Sequence, residues 1–325
     1  MDSKAKNYVV GIDIGGQSAK LGIIDRRGNV VSETSVVSNR HTDEQEFVDY
    51  LADALKALIS KAGVEGEVVG VGVGAPCANY RRGTIDNAAN VTWASGKIVP
   101  FSEMLSKALG GIPVALTNDA NADALGEMYY GAARGMKDFI VITLGTGVGS
   151  GIVIDGKLLY GYDGFAGELG HVRVVRYNGR PCGCGRSGCL ETYCSATGVV
   201  RTAKEMLANN PDTTSSLKNI PLDKLTSLDI YNEAMKQDEL ALQIFKQTGE
   251  MIGEACANVA TVLSPEAFIF FGGLANAGDL LMNPIKEAYE KHVLSLYQGK
   301  AKFLISGLKG ASAAVLGASA MAWEI

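Results

Sequence analysis

Two glycine-rich segments, GIDIGGQSAK at 11–20 and LGTGVGSG at 144–151, each lie between stretches of β pattern, and together they constrain the fold more than anything else in the chain. In so tight a turn, successive backbone N–H groups can face one concavity and hold phosphate oxygens. Either segment alone reads as a plain hairpin; two in one chain fit a clamp on a polyphosphate. The second is not a Walker loop, because no Gly-Lys-Ser/Thr closes it, nor is it a GxGxxG opening a helix. The alternation of Gly145, Gly147, Gly149 and Gly151 predicts a strand with one face bare of side chains. Glycine is abundant throughout, 40 of 325 residues, or about 12% against a usual 7% or so.

The surrounding pattern is α/β. Residues 8–14 and 20–24 read as strands, NVVSETSVV extends them into a meander, and Phe47, Leu51, Leu55, Leu58 and Ile59 fall at helical spacing within 44–62. VVGVGVGAP then reads as a buried strand. FIVITLG, SGIVID, a helical stretch from Gln237 to Leu263, and AFIFFGG repeat that logic, so the chain reads as two related halves. SAAVLGASAMAW reads as a closing helix and Asn209 to Asp223 as a polar surface loop.

Charge and hydropathy exclude several classes. Thirty basic against 35 acidic residues give a net charge of −5, which leaves no cationic footprint for nucleic acid or an anionic membrane. The longest uncharged run, Phe139 to Ile154, contains four glycines and falls short of the roughly 20 apolar residues of a spanning helix. MDSKAK leads into YVVGI without a signal-peptide pattern, so a cytoplasmic location is expected. Of six cysteines, Cys77 and Cys256 sit alone in apolar sequence, while four crowd into 182–194.

That crowding points to metal. Cys182, Cys184 and Cys189 lie in a glycine-rich loop, and His171 precedes the first by eleven residues. Three thiolates and one imidazole close a tetrahedral zinc set with no position for a reacting water, so the metal is expected to be structural. Cys194 reads as buried. A ligated imidazole directs its second nitrogen to an oxygen partner, and a sugar hydroxyl would serve. Glu168 and Glu191 bracket the knot. Thr117 to Asn121 follows a strand and precedes a helix; Asn and Asp are common N-caps there, yet the end of a parallel strand is also where open α/β sheets bind ligands.

DIGG at 13–16, ND at 118–119, LGTGVGSG at 144–151, GELGH at 167–171 and CGCGRSGCLE at 182–191 stand in an order that resembles the ROK family of sugar kinases, nearest its bacterial glucokinases, over almost the whole chain. The resemblance implies an α/β actin-like ATPase (ribonuclease H-like) fold of two lobes with an active cleft. Residues 1–117 with a returning helix at 311–325 would form the small lobe, and 118–310 the large lobe with the zinc loop. It implies an ATP-dependent kinase acting on the 6-hydroxyl of glucose with Mg²⁺, Asp119 as base, and Asn90, Asn118, Asp119, Glu168, His171 and Glu191 around the sugar. Asp13, Gly15, Gly16, Gln17, Ser18, Lys20, Gly145, Thr146, Gly147 and Gly149 fall on the phosphate turns, and Gly272 and Gly273 on the adenosine side. Three positions depart from the family: Gln17 for threonine, Cys77 for glycine after GAP, and Phe271 for a glycine. The family habit implies a homodimer. Its other members leave open N-acetylglucosamine, N-acetylmannosamine, fructose or allose as substrate, or a sugar sensor without activity. The family's repressors carry a DNA-binding helix-turn-helix ahead of the first phosphate turn, and with seven residues before Tyr8 none is expected here.

Overall fold

The computed structural model describes residues 7–308 and 313–325. In chain order the first strands are β1 (Tyr8–Ile14), β2 (Ser18–Asp25) and β3 (Val30–Val37), followed by α1 (Glu44–Ala62) and β4 (Val68–Gly74). Three short strands, β5 (Ala78–Asn79), β6 (Thr84–Asp86) and β7 (Ile98–Val99), precede α2 (Phe101–Ala108), β8 (Val114–Thr117) and α3 (Asp119–Tyr130). Then come β9 (Phe139–Leu144), β10 (Val148–Ile154), β11 (Lys157–Leu158), α4 (Glu191–Cys194), α5 (Ala196–Asn209), α6 (Ser227–Met235) and α7 (Glu239–Leu263). The chain closes with β12 (Ala267–Phe271), α8 (Asp279–His292), β13 (Lys302–Ile305) and α9 (Ala313–Met321). Among the described residues no helix is long and apolar enough to cross a membrane.

Two units result. The first takes 1–136, 151–166 and 307–325, the second 137–150 and 167–306. The sequence reading divided the chain at 117/118; the contacts instead keep α3 with the first unit, where it packs on α9 and β4, and return the β10 end and β11 to it. The reading's other boundary, at 310/311, lies outside the described residues.

In the first unit the sheet order is β3-β2-β1-β4-β8, antiparallel from β3 to β1 and parallel from β1 to β8. Side chains alternate along a strand, so Val10 and Ile12 face one way, into a cluster with Phe47, Leu51 and Leu55 of α1. Burying each such side chain contributes about 1.5–3 kcal/mol. Asp43 caps α1 by accepting from the Gln45 and Glu46 amides at 2.9 and 3.0 Å, and Gly63 ends it in the left-handed region at φ 70°. On the opposite face α9 lies directly on the strands: a Cβ on Gly11 would strike the Val315 carbonyl, and one on Gly72 the Ala318 carbonyl.

The second unit follows the same plan. β10, β9, β12 and β13 are neighbours in that order, with β9, β12 and β13 parallel, just as β2, β1, β4 and β8 are neighbours in the first, with β1, β4 and β8 parallel. Phe268, Tyr289 and Phe303 pack with ring centroids 4.9–5.9 Å apart, and Gly249 and Gly253 let α7 approach the Leu281 and Ile285 carbonyls of α8. The stretch read as a polar loop holds one 3-10 turn, Ser216–Asn219, tied down by Asp238, which accepts from the Ser215 hydroxyl and the Ser216 amide.

Candidate functional site

In the first unit the parallel strands end in register. Asp13 of β1 pairs with Gly74 of β4, and Gly74 with Thr117 of β8, so Asp13 and the Asn118-Asp119 step share the carboxyl edge of the sheet. Asn118 is the N-cap of α3; its Oδ1 accepts from the Asn121 amide at 2.7 Å, which leaves its Nδ2 to act elsewhere. Asp119 is the first helical residue, exposed, with one carboxylate oxygen accepting from the Ala120 amide at 2.9 Å. Burial raises the pKa of Asp13 above the usual carboxylate range, the Asp119 charge adds to the rise, and Lys20, cross-strand from Asp13, opposes it.

The turn between β1 and β2 is closed by the Gly15 amide donating to the Ser18 carbonyl at 2.9 Å, and the Ser38 hydroxyl donates to the Gly15 carbonyl at 2.8 Å. Gly16 abuts the Asn90 carbonyl so closely that a side chain there would collide. This brings Asn90 beside the turn. Asn90 is exposed but precedes the buried Trp93, whose ring stacks on Phe47 and Phe101 at 4.4 and 5.5 Å. Gln17 and Lys20 are exposed; Ser18 is half-buried.

In the second unit the matching turn is Gly145–Gly147, closed by the Gly145 amide on the Gly147 carbonyl at 3.0 Å. Gly145 and Thr146 are exposed. The expectation of one strand face bare at all four glycines is corrected: Gly145 and Gly147 form the turn, and only Gly149 and Gly151 lie in β10. Gly147 lacks a side chain for another reason, since a Cβ would strike the Glu191 carboxylate. One Glu191 oxygen accepts from the Val148 amide at 3.1 Å, and the other lies 3.9 Å from Cys182 Sγ. Gly272, at φ 102°, meets the backbone of Leu144, so a side chain is excluded by both conformation and space. Gly273 borders a cavity of about 470 Å³ that Ser227, Tyr231, Phe245 and Asn276 also line.

His171, Cys182, Cys184 and Cys189 offer four donor atoms within 4.8 Å of one another. Cys184 Sγ and Cys189 Sγ are 3.7 Å apart, as are Cys182 Sγ and His171 Nδ1. Tetrahedral zinc with Zn–S bonds near 2.3 Å requires sulfur atoms about 3.8 Å apart, so the set fits Zn²⁺. The backbone N–H of Arg186 is the chief cause holding Cys184 down to about 6, whereas burial and the neighbouring thiols push Cys189 up to about 12. Thiols so crowded ionise together only around a cation. The other imidazole nitrogen, Nε2, lies 3.8 Å from the Glu168 carboxylate. Cys194 is buried, its thiol donating to the Thr248 carbonyl at 3.7 Å, outside the set.

Other contributors escaped the sequence reading. Arg180, buried before the knot, donates to Glu205, Thr202 and the Thr192 carbonyl and lies over the Tyr193 ring at 4.3 Å. It supplies the anchor that a loop of glycines lacks. Asp123 and Glu127 follow Asp119 at helical spacing. Asp123 is 6% exposed, and burial, then the charges of Asp119, Asp13 and Glu127, push its carboxyl well above the usual range. Cys77 is exposed, contrary to its apolar sequence setting, and its φ of 54° explains why glycine suits that position.

The ROK family model matches residues 9–325. A glucokinase of Halalkalibacterium halodurans is 37% identical over 95% of this chain and 93% of its own. Among solved structures, a ROK family glucokinase from Streptomyces griseus in complex with glucose and AMPPNP is 33% identical, with a TM-score of 0.78 over 98% of this chain and 100% of that one. A ROK hexokinase from Thermus thermophilus is 29% identical, with a TM-score of 0.81 over 98% of both chains.

Proposed function

The chain belongs to the ROK family, and from that footing we propose that it is an ATP-dependent hexose kinase that phosphorylates the 6-hydroxyl of glucose. The observation that carries the reading is an exposed carboxylate, Asp119, opening α3 at the sheet edge that also bears Asp13 and the first glycine turn. Phosphoryl transfer asks a protein mainly to align the attacking hydroxyl and to balance charge. Asp119 accepts the hydroxyl proton and directs its oxygen at the γ-phosphorus. Backbone amides of the two glycine turns hold phosphate oxygens, and the cavity beside Gly273 receives the nucleoside, with Tyr231 in its wall.

Glu168, His171, Glu191, Asn90, Asn118 and Asp119 fix the sugar through its hydroxyls, and such hydrogen bonds reject a wrong epimer strongly because a mismatch leaves them unmade. Asp13, whose pKa burial and then the Asp119 charge raise, would hold Mg²⁺, which would neutralise phosphate charge. His171, Cys182, Cys184 and Cys189 would hold Zn²⁺, which would fix the imidazole and, through neighbouring Cys182, steady the Glu191 carboxylate.

Asp119→Asn retains shape and removes the base. With ATP, Mg²⁺ and glucose, its kcat should fall about 10²–10⁴-fold with the sugar KM little changed; wild-type turnover in this variant would refute the assignment. Exposed Gln17, in place of the family's threonine, favours the second reading, a sensor that binds glucose and releases no ADP.

A further inference from the structure

A cavity of about 570 Å³ in the first unit plays no part in the reaction above. Arg26, Arg27 and Arg134 line it, together with Tyr129, Tyr130 and Trp323. Two of these aromatics, Tyr129 and Tyr130, close α3 at the end opposite Asp119, a helix of 12 residues and hence roughly 18 Å long. The volume lies within the range of small-molecule sites, roughly 300–1,000 Å³.

The wall is built rather than incidental. Gly28, at φ 86°, follows the two arginines and abuts the Tyr130 ring, where a Cβ would come within 2.6 Å of a ring carbon. The arginine turn is further held by Asp25, which accepts from the Arg27 and Asn29 amides at 2.8 and 2.9 Å. Trp323 Nε1 donates to the Tyr130 hydroxyl at 2.9 Å, the Tyr129 hydroxyl donates to Glu324 at 2.9 Å, and Arg26 lies 5.1 Å from the Trp323 ring centroid. Among the described residues the guanidinium groups of Arg27 and Arg134 enter no salt bridge. Three arginines line this one aromatic-walled cavity, and two carboxylates beside it are engaged by other donors, Asp25 by the Arg27 and Asn29 amides and Glu324 by the Tyr129 hydroxyl.

We propose that this cavity is a second ligand site, for a phosphate monoester carrying a ring. Guanidinium forks match phosphate oxygens in pairs, and the Trp323 and Tyr129 faces cover the ring. The site is independent of the kinase reading. Arg134 and Gly307 border two of the points where the chain passes from one unit to the other, 136/137 and 306/307.

Phenyl phosphate is the probe, since it carries ring and monoester without a sugar. Titration into the full chain is followed by calorimetry and by tryptophan fluorescence, in which Trp323 is the responsive residue because Trp93, the only other tryptophan, is buried. One saturable site is expected, with phenol and inorganic phosphate both weaker than phenyl phosphate. Arg27→Gln and Arg134→Gln, changes of exposed side chains, should each weaken binding about tenfold or more. No saturable binding in the millimolar range, or equal affinity in wild type and both variants, overturns the proposal; inorganic phosphate binding as tightly as phenyl phosphate overturns the role of the aromatic wall.

Discussion

Gly147 shows what a single residue's absent side chain decides. A turn was legible from a glycine-rich segment between two stretches of β pattern, but the steric reason for Gly147 was not, because the group it admits, Glu191, lies 44 positions along the chain. Gly147→Ala should displace that carboxylate and raise the sugar KM about ten- to a hundredfold, the worth of a charged hydrogen bond. Gly145→Ala, with open space around its Cβ, should leave the sugar KM near wild type. Equal KM values for the two variants would separate Glu191 from the sugar. At position 77 the backbone φ of 54°, which would favour glycine, was hidden because the sequence shows a cysteine there.

Among the elements, the β1–β2 hairpin, α1, β4, β12 and α7 were readable because each has a clean period and clear ends. Helix α8 was not: Pro284 lies inside it, and Asn283-Pro284 in sequence resembles a turn. Nor did the sequence show why Gly72 is glycine, since its neighbour Ala318 is remote. Gly72→Ala should cost about 1–3 kcal/mol by forcing α9 off the sheet, read from urea unfolding; a neutral change would contradict the described packing. Helix α3 makes a pH prediction. Asp123 binds its proton more tightly folded than unfolded, because of burial and then the neighbouring carboxylates, so its contribution to stability is lost as pH rises above the ordinary carboxylate range toward the folded pKa. Asp123→Asn should therefore gain on wild type as pH increases. Urea unfolding at pH 5 and pH 8 checks this, and a gap that does not widen would show the carboxyl ionised throughout.

Across the whole molecule, the repeated plan of hairpin and parallel strands was visible as two copies of one pattern, whereas the unit boundaries were not, because α3 joins the first unit through contacts with the distant α9. The gathering of His171, Cys182, Cys184 and Cys189 was legible from Cys and His spacing, and its anchor, Arg180, was not, since a lone arginine in a polar loop carries no signal. One zinc per chain is expected, and a chelator should weaken glucose binding through His171 and Glu191; glucose affinity unchanged after metal removal would detach the knot from the site. The central claim, that this protein moves a phosphoryl group from ATP to a hexose, is tested most directly by ³¹P NMR of the chain with Mg²⁺, ATP and a panel of hexoses. The predicted result is ADP and glucose 6-phosphate appearing in equal amounts, with glucose the preferred sugar. Glucose bound with no ADP formed, or ADP formed without a sugar phosphate, would contradict it.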